Sequence, residues 1–371
     1  DFLSNSGLRV NPFYKPGWSP DYLEAFNYIG LTACYRKKLS DFYLNDENIY
    51  DFTLKFTEKT NNVVHIPKIL GTNSRDYSHG NINVSIHRDR DLSALQGRLS
   101  RTNRVGIVYE DERFKGCYHL EAKLKSHPLV SIIIPTAGQI SSINNRKVDL
   151  ICNVVTQIRE LSTYKNIELI VVDGGELTKS QLDLIDLHGC KRVVHNNENF
   201  NFSKSCNLGA SISSGEFLLF LNDDIEILTP SWIERLLEQF EKPHVGVVGA
   251  KLLYPDGKLQ HVGVVHNWGC PDHVRDGYPG NDSGYFFSTC GVHNYQAVTG
   301  ACLVTKANIF DVVGGFSEEL AVSFNDTDLC MKIGKIGLSI VYAPKVVLTH
   351  MTSQSRSMYD TDIVSADPTE L

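Results

Sequence analysis

Apolar residues from about position 128 onward come in short unbroken runs, separated by stretches whose apolar positions recur every three or four residues. PLVSIIIPT (128–136) is continuous, β-branched and ended by Pro135, which predicts a strand buried on both faces. VDLICNVVTQIRELS (148–162) has helical spacing, and IELIVVDGG (167–175) is a second buried strand stopped by Gly174 and Gly175. QLDLIDLH (181–188) predicts a short helix, CKRVVHN (190–196) a third strand, residues 203–213 a helix, and FLLFLND (217–223) a fourth strand. Strands alternating with helices imply parallel pairing through right-handed crossovers. The predicted fold class is α/β, a mostly parallel central sheet flanked by helices. In such open sheets ligands sit beyond the carboxyl ends of strands, and Asp173, Asp223 and Asp224 fall at those ends.

Further on, SWIERLLEQFEK (231–242) follows Thr229-Pro230, a helix-start signal, and VGVVGAKLLY (245–254) is strand-like. Residues 255–295 are rich in Gly, Asp, His, Tyr and Asn, the composition of a functional or mobile loop region. AVTGACLVTK (297–306), a helix around 307–313, the turn VGGF (313–316), a helix near 326–335 and the strand SIVYAPKVVLTH (339–350) complete a domain that ends near 357.

The first 125 residues follow a different pattern, much of which an internal repeat explains. Laid under IVYAPKVVLTH (340–350), VVHIPKILGTN (63–73) aligns Pro67, Lys68 and Thr72 with Pro344, Lys345 and Thr349. Extended backwards without a gap, Asp51 falls under Asp328 and Lys55 under Lys332. A looser block pairs LTACYRKK (31–38) with TGACLVTK (299–306). The first copy has no counterpart of residues 128–228, so it reads as the rear half of a domain. Between the copies, a helical stretch (91–103) and two strands (VGIVYE, YHLEAKL) read as a connector packed on the second domain. The expected organisation is a partial degenerate module at 1–74, a connector at 75–127, the principal domain at 128–357 and a tail at 358–371.

Composition narrows the function classes. A chain of 371 residues with 42% hydrophobic content has material for a sizeable core. Charged residues are 21%, the net charge is -7 and the pI is about 6.0, so a nucleic-acid partner held by bulk positive charge is not expected. Nine scattered cysteines without CxxC spacing argue against a disulfide framework or a zinc site and fit a reducing cytoplasm. No apolar run is long enough to span a bilayer, and no leader opens the chain. Because it begins at Asp1 and stops after a polar tail, it is expected to be a fragment of something longer.

Asn222, Asp223, Asp224 and Glu226 crowd the mouth of a buried strand. Carboxylates so placed are costly unless a positive charge lies between them, and a divalent cation with hard oxygen ligands, Mn²⁺ or Mg²⁺, supplies one. Such an ion bridges diphosphate oxygens and offsets charge on a departing phosphate. A solvated acidic turn is the other reading of this stretch alone. Asp326 and Asp328 stand at i and i+2 beside a helix start, where carboxylates also cap free backbone donors. His350 ends a strand, and a lone histidine is as readily a packed side chain as a ligand. TAGQISSINNR (136–146) is no Gly-rich basic phosphate loop and GxGxxG is absent, which counts against a nucleotidyltransferase and a dinucleotide oxidoreductase.

HPLVSIIIPT, IELIVVDGG, FNFSKSCNLGASISSGEFLLFLNDDIEI, VGVVGAKLLYPDGKLQHVGVV, AVTGACLVTK, VGGFSEELAVSFNDTDLCMKIGKIGLSIVYAP and LTHMTSQSR resemble, in order and nearly continuously over 128–357, the family 2 glycosyltransferases. The nearest likeness is to the bacterial branch that builds O-antigens, capsules and rhamnose-rich polymers. The resemblance implies a GT-A fold, a nucleotide-diphospho-sugar donor, Mn²⁺ or Mg²⁺, and inversion by direct displacement. It implies that Pro135 and Thr136 line the nucleotide pocket and that Asp173 hydrogen-bonds the pyrimidine base, a turn role for Asp173 being the alternative. Asn222, Asp223 and Asp224 match the DxD element, with Asp224 and His350 as metal ligands and Asp326 as general base. Arg356, in the loop 353–356 that resembles the segment closing over the diphosphate, would meet phosphate. Two positions depart from the pattern: Asn222 stands for the first acid of DxD, and Asn325 for the Glu before the base.

Lys204 and Asn207 lie where family members approach the donor, and Trp268, His261, His273 and Tyr285 lie where an acceptor could bind. A solvated lysine and packed rings are the plainer readings. In the first copy Ile49 occupies the position of Asp326 and Asn73 that of His350, so this copy is expected to be inactive and to serve packing, acceptor guidance or docking. The expected donor is a dTDP-sugar, rhamnose first, with UDP-sugars behind it. The acceptor is a lipid-linked glycan, the partners are other polysaccharide-assembly proteins, and the location is cytoplasmic, with a peripheral position at the inner face of the plasma membrane as a variant. The rival reading is a catalytically silent binding or scaffold module of such an assembly.

Overall fold

In a computed structural model the described residues are 2–3, 7–10, 12–30, 33–36, 48–60, 62–72, 88–143, 146–195, 200–267 and 269–351. The chain divides into two compact units, 1–125 with 282–294, and 126–281 with 295–371.

In the first unit, α1 (Pro20–Ala25), α2 (Ile49–Thr57), α3 (Arg88–Arg101) and the hairpin of β1 (Gly106–Glu110) and β2 (Tyr118–Ala122) bury Tyr22, Leu23, Tyr50, Leu54, Leu95 and Tyr118 in one cluster. Arg98 Nε and Arg104 Nη1 converge on the buried Glu24 at 3.0 and 2.9 Å, so each charge taken from water has a partner. The expected connector is therefore corrected: its described part, 88–125, completes this unit's core, because Leu95 and Tyr118 are among the residues that close it. Residues 282–294 also belong here. Asn294 Nδ2 donates to Asp21 Oδ2 at 2.6 Å and its Oδ1 accepts from Asp21 N at 3.0 Å, while Tyr285 Oη accepts from Tyr14 N at 2.9 Å.

The repeat survives locally and fails at longer range. In α2 the pair Asp51–Lys55 spans 2.7 Å, as the aligned Asp328–Lys332 pair spans 2.9 Å in its own helix. Residues 62–72, aligned with a strand of the second unit, carry no strand. Val64, Ile66 and Leu70 stay exposed, since among the described residues no strand pairs with them.

The second unit begins with β3 (Val130–Thr136), the hairpin β4 (Ile140–Ile143) and β5 (Arg146–Asp149), α4 (Leu150–Leu161), β6 (Ile167–Asp173), α5 (Lys179–Leu187), β7 (Lys191–Val194) and α6 (Phe202–Ser211). It continues with β8 (Phe217–Leu221), β9 (Ile225–Ile227), α7 (Trp232–Leu237), β10 (Val245–Leu253), β11 (Leu259–His261), β12 (Val264–Asn267) and β13 (Cys270–His273). After these come β14 (Cys302–Lys306), α8 (Ala307–Val313), α9 (Asn325–Lys335) and β15 (Ser339–His350). TAGQISSINNR thus enters a hairpin, and the helix read at 231–242 is a six-residue α-helix followed by a 3₁₀ turn at Glu238–Glu241.

The main sheet runs β9-β15-β10-β14-β8-β3-β6-β7. Its β8, β3, β6 and β7 pair in parallel, as strand–helix alternation predicts, and β14 runs antiparallel to both β8 and β10. The sheet is therefore mixed. Reversal of β14 brings its amino end to the edge that holds the carboxyl ends of β3, β6, β8, β10 and β15. Every residue of β3 is buried. On one side α6 comes so close that a Cβ on Gly209 would stand 2.4 Å from Ile133 Cγ2. On α4 the buried Leu150, Ile151, Val154, Val155 and Ile158 follow the helical period, and Asp149 caps the helix by accepting from Cys152 N at 3.3 Å. Among the described residues, no helix is long and apolar enough to cross a membrane.

Candidate active site

The β3–β8 ladder ends at Ile133–Phe220, whereas the β3–β6 ladder continues to Thr136–Asp173. The sheet opens there, between Pro135-Thr136 and the turn Asn222-Asp224. Pro135, which has no N–H to give, sits where β8 asks for none. Across the opening Thr136 Oγ1 donates to Asp223 Oδ2 at 2.6 Å and accepts from Gly138 N at 3.0 Å. Burial and the neighbouring Asp224 carboxylate push the Asp223 pKa up to about 7.

Asp224 and His350, 126 positions apart, meet because Ile225 stands opposite His350 in the β9–β15 ladder. Asp224 Oδ1 lies 3.0 Å from His350 Nε2, and Met351 N donates to Asp224 O at 3.0 Å. Asn222 Nδ2 lies 3.1 Å from the same Nε2. On the ring's far side Nδ1 is 2.7 Å from Gln260 Oε1. An amide oxygen only accepts, so Nδ1 carries a hydrogen, and the ring turns its Nε2 toward Asn222 and Asp224. Asp224 Oδ1 is buried and receives no hydrogen bond. Two electron pairs facing each other at 3.0 Å call for a positive charge, met by a proton on Nε2 or by a cation. One carboxylate and one imidazole form an incomplete donor set, of which the carboxylate suits Mn²⁺ or Mg²⁺ and the imidazole suits a transition ion better than Mg²⁺. Among the described residues no group of three or more His, Cys, Asp or Glu is assembled for a metal, so an ion held by this pair would draw its other ligands from water or substrate oxygens.

Asp326 lies in the first turn of α9. Before that helix Phe324 has φ +62°, a left-handed conformation that a bulky side chain adopts at a cost of roughly 1–3 kcal/mol. Asp326 Oδ2 accepts from Gly300 N at 2.9 Å and Oδ1 from Thr327 N at 2.7 Å. Next to Gly300, Ala301 O accepts from Asn222 N at 3.1 Å, so a single loop before β14 ties Asp326 and the Asn222-Asp224 turn together. The half-buried Asp326 carboxylate keeps acceptor capacity beyond these two bonds. Asp328 is engaged elsewhere, by Ser317 Oγ at 2.6 Å and Lys332 Nζ at 2.9 Å.

Asp173 is fully buried. Arg192 Nε and Nη2 hold Oδ2 at 2.9 and 2.5 Å, and Gly175 N donates to Oδ1 at 2.7 Å. Three of its roughly four acceptor positions are taken by these bonds. Asn207 is used by the backbone of Phe316, its Nδ2 donating to the carbonyl at 2.9 Å and its Oδ1 accepting from the N–H at 3.0 Å, whereas Lys204 is exposed on α6. His261 is fully buried, accepts from Thr299 N at 3.3 Å through Nε2 and faces His273 Nδ1 at 2.9 Å. Burial and the His273 ring hold its pKa well below the ordinary histidine value. It therefore props the loop that carries Gly300 and Ala301. Tyr285 belongs to the first unit, while Arg356, its loop 353–356, Asn73 and Trp268 lie outside the described residues. Sequence reasoning missed Arg192, Gln260 and Gly300. Nothing in CKRVVHN or in the sequence around Gln260 marks those two side chains, whose roles arise from ladder register, and Gly300 acts through its backbone N–H.

Residues 131–297 match the family model described as Glycosyl transferase family 2. The chain is 34% identical over 378 residues to uncharacterized protein y4gI of Sinorhizobium fredii, an alignment covering 97% of this chain and 41% of that protein. Identity to the O-antigen biosynthesis protein RfbC of Myxococcus xanthus is 29% over 371 residues, covering 96% of this chain and 28% of that one. The chain thus spans less than half the length of these relatives. Among solved structures, GalNAc-T7 with UDP, GalNAc and Mn²⁺ superposes at a TM-score of 0.50 and 14% identity, over 69% of this chain and 50% of that one. The fold is of the GT-A type.

Proposed function

We propose that this chain, which belongs to glycosyl transferase family 2 through residues 131–297, moves a sugar from a nucleotide-diphosphate donor to a glycan acceptor with inversion at the anomeric carbon. The observation that carries the reading is the meeting of Asp224, His350 and Asn222 at the opened sheet edge, with Asp326 tied to the same loop as Asn222. In this mechanism the Asp326 carboxylate takes the proton of the acceptor hydroxyl while that oxygen bonds to the anomeric carbon. The bond from this carbon to the diphosphate breaks, and the nucleoside diphosphate departs with the electron pair. A divalent cation, Mn²⁺ or Mg²⁺, when bound by Asp224 and His350, offsets the charge that grows on the departing diphosphate.

Asn222 adds no charge and turns its Nδ2 toward His350, so the affinity for an ion would lean on Asp224 and His350. Pro135, Thr136 and Asp223 line the donor crevice, Asp173 offers its remaining acceptor position to the base, and Arg356 meets phosphate. Catalysis belongs to 128–357, and the first unit, with Ile49 in place of the base, serves acceptor guidance or docking to other assembly proteins. Likeness to the O-antigen biosynthesis protein supports a role in bacterial surface polysaccharide synthesis, with a lipid-linked acceptor at the inner face of the plasma membrane. The donor is a dTDP- or UDP-sugar, dTDP-rhamnose first.

A panel of nucleotide sugars, each with and without Mn²⁺, tests the reading by thermal stabilisation, because a ligand bound only by the native state raises apparent stability. One donor should stabilise the chain in a metal-dependent way. Asp326→Asn should keep that stabilisation and lower transfer by about 10²–10⁴-fold. Transfer at the wild-type rate by Asp326→Asn removes the assigned base. Stabilisation by no nucleotide sugar favours the silent scaffold instead.

A further inference from the structure

Adjacent residues of a regular strand face opposite sides, yet Gln260 and His261 are both buried and both point to parts of the site. A bulge explains this. In the β10–β11 ladder Leu252 opposes His261 and Leu253 opposes Leu259, which leaves Gln260 as the extra residue. Bulges beside active sites re-aim side chains. Here the bulge sends Gln260 Oε1 to within 2.7 Å of His350 Nδ1, a partly buried contact.

We propose that Gln260 is a positioning residue of the metal centre: by accepting the Nδ1 hydrogen of His350 it fixes the tautomer whose Nε2 electron pair faces Asp224. The inference rests on the metal-dependent reading above. A neutral imidazole in water favours the opposite tautomer, with hydrogen on Nε2, and that form aims a hydrogen at the position an ion would take. It would also set a donor against Asn222 Nδ2, 3.1 Å away. Partners that orient a ligating histidine in this way typically alter metal affinity by about 10–100-fold when removed.

The test uses the full chain labelled with ¹⁵N and two-bond proton–nitrogen spectra of the imidazoles in mildly alkaline buffer, with His350→Ala assigning the signal. A Mn²⁺ titration without donor, read by the paramagnetic resonance of free Mn²⁺, accompanies it. Wild type should show His350 with hydrogen on Nδ1. Gln260→Met, similar in length but without an acceptor, should move the hydrogen to Nε2 and weaken Mn²⁺ binding by about 10–100-fold. Gln260→Glu restores an acceptor and should restore the Nδ1–H signal, so the test stays decisive if the methionine variant fails to fold. A Gln260→Met chain with unchanged tautomer and unchanged Mn²⁺ affinity overturns the proposal, as does Gln260→Glu with hydrogen on Nε2. Should His350→Ala bind Mn²⁺ as tightly as wild type, the metal reading itself falls and takes the proposal with it. That result is distinct from loss of the ion in His350→Ala alone.

Discussion

Replacing Arg192 with methionine strips the buried Asp173 carboxylate of two of its three hydrogen bonds and of its counter-charge, leaving only the Gly175 N–H. At the 2.9 Å separation of the Nε contact, and with an effective dielectric of about 20, the direct attraction is roughly 6 kcal/mol, most of it offset by the desolvation of both ions. Removing one partner of a buried pair costs about 3–5 kcal/mol because the other charge stays behind. The Arg192 side chain is 37% exposed, so water can reach part of the vacated space and the low end, about 3 kcal/mol, applies. For a unit of this size that amounts to a fall of roughly 6–12 °C in the midpoint. Differential scanning calorimetry of the full chain, following the transition of the second unit, reads it. Adding Asp173→Asn should recover most of the loss, because the amide still accepts from Gly175 while the stranded charge is gone. A single variant melting within about 1 °C of wild type, or a double variant as unstable as the single one, refutes the argument.

Gly209→Ala should destabilise the second unit by about 1–3 kcal/mol, since the new methyl would lie 2.4 Å from Ile133 Cγ2 and push α6 off the sheet. The sign is diagnostic in a thermal melt, because alanine in an unconstrained helix would stabilise instead. His293, buried in the first unit, donates through Nδ1 to Asn294 O at 2.7 Å, and burial lowers its pKa to about 4. With a pKa near 6.5 when unfolded, it binds its proton in the unfolded chain first as pH falls. The first unit should therefore keep this stability above about pH 6.5 and lose up to roughly 3 kcal/mol on the way down to pH 4. Denaturant unfolding across that window should show a shallower pH slope for His293→Asn, and equal slopes would remove the assignment.

Much of the second unit was legible in local pattern. The β-branched runs at β3, β6 and β8, the helical period of α4 and the helix start at Asp326 follow from periods of a few residues, and each element forms close to where its pattern lies. The acidic turn after β8 announces itself because charge at the mouth of a buried strand is costly. Less legible was the first unit, where the helix and hairpin of 88–125 look like a connector until Leu95 and Tyr118 are seen in one core with Tyr22 and Leu54. Residues 63–72 likewise align with a strand of the second unit, but a strand exists only where a ladder partner is at hand.

From its sequence alone, this chain is determined to be an α/β protein with carboxylates at the carboxyl ends of its buried strands, since apolar periodicity and the cost of stranded charge are local properties. Tertiary structure alone decided which of those groups meet. The reversed β14 sets Gly300 between Asp326 and Asn222, the β9–β15 register sets Asp224 against His350, and a one-residue bulge turns Gln260 onto the ring. The physical reason is that register and strand direction are chosen by the packing of the whole sheet, across separations no window of sequence spans, while each contact at the site depends on them to within a single residue.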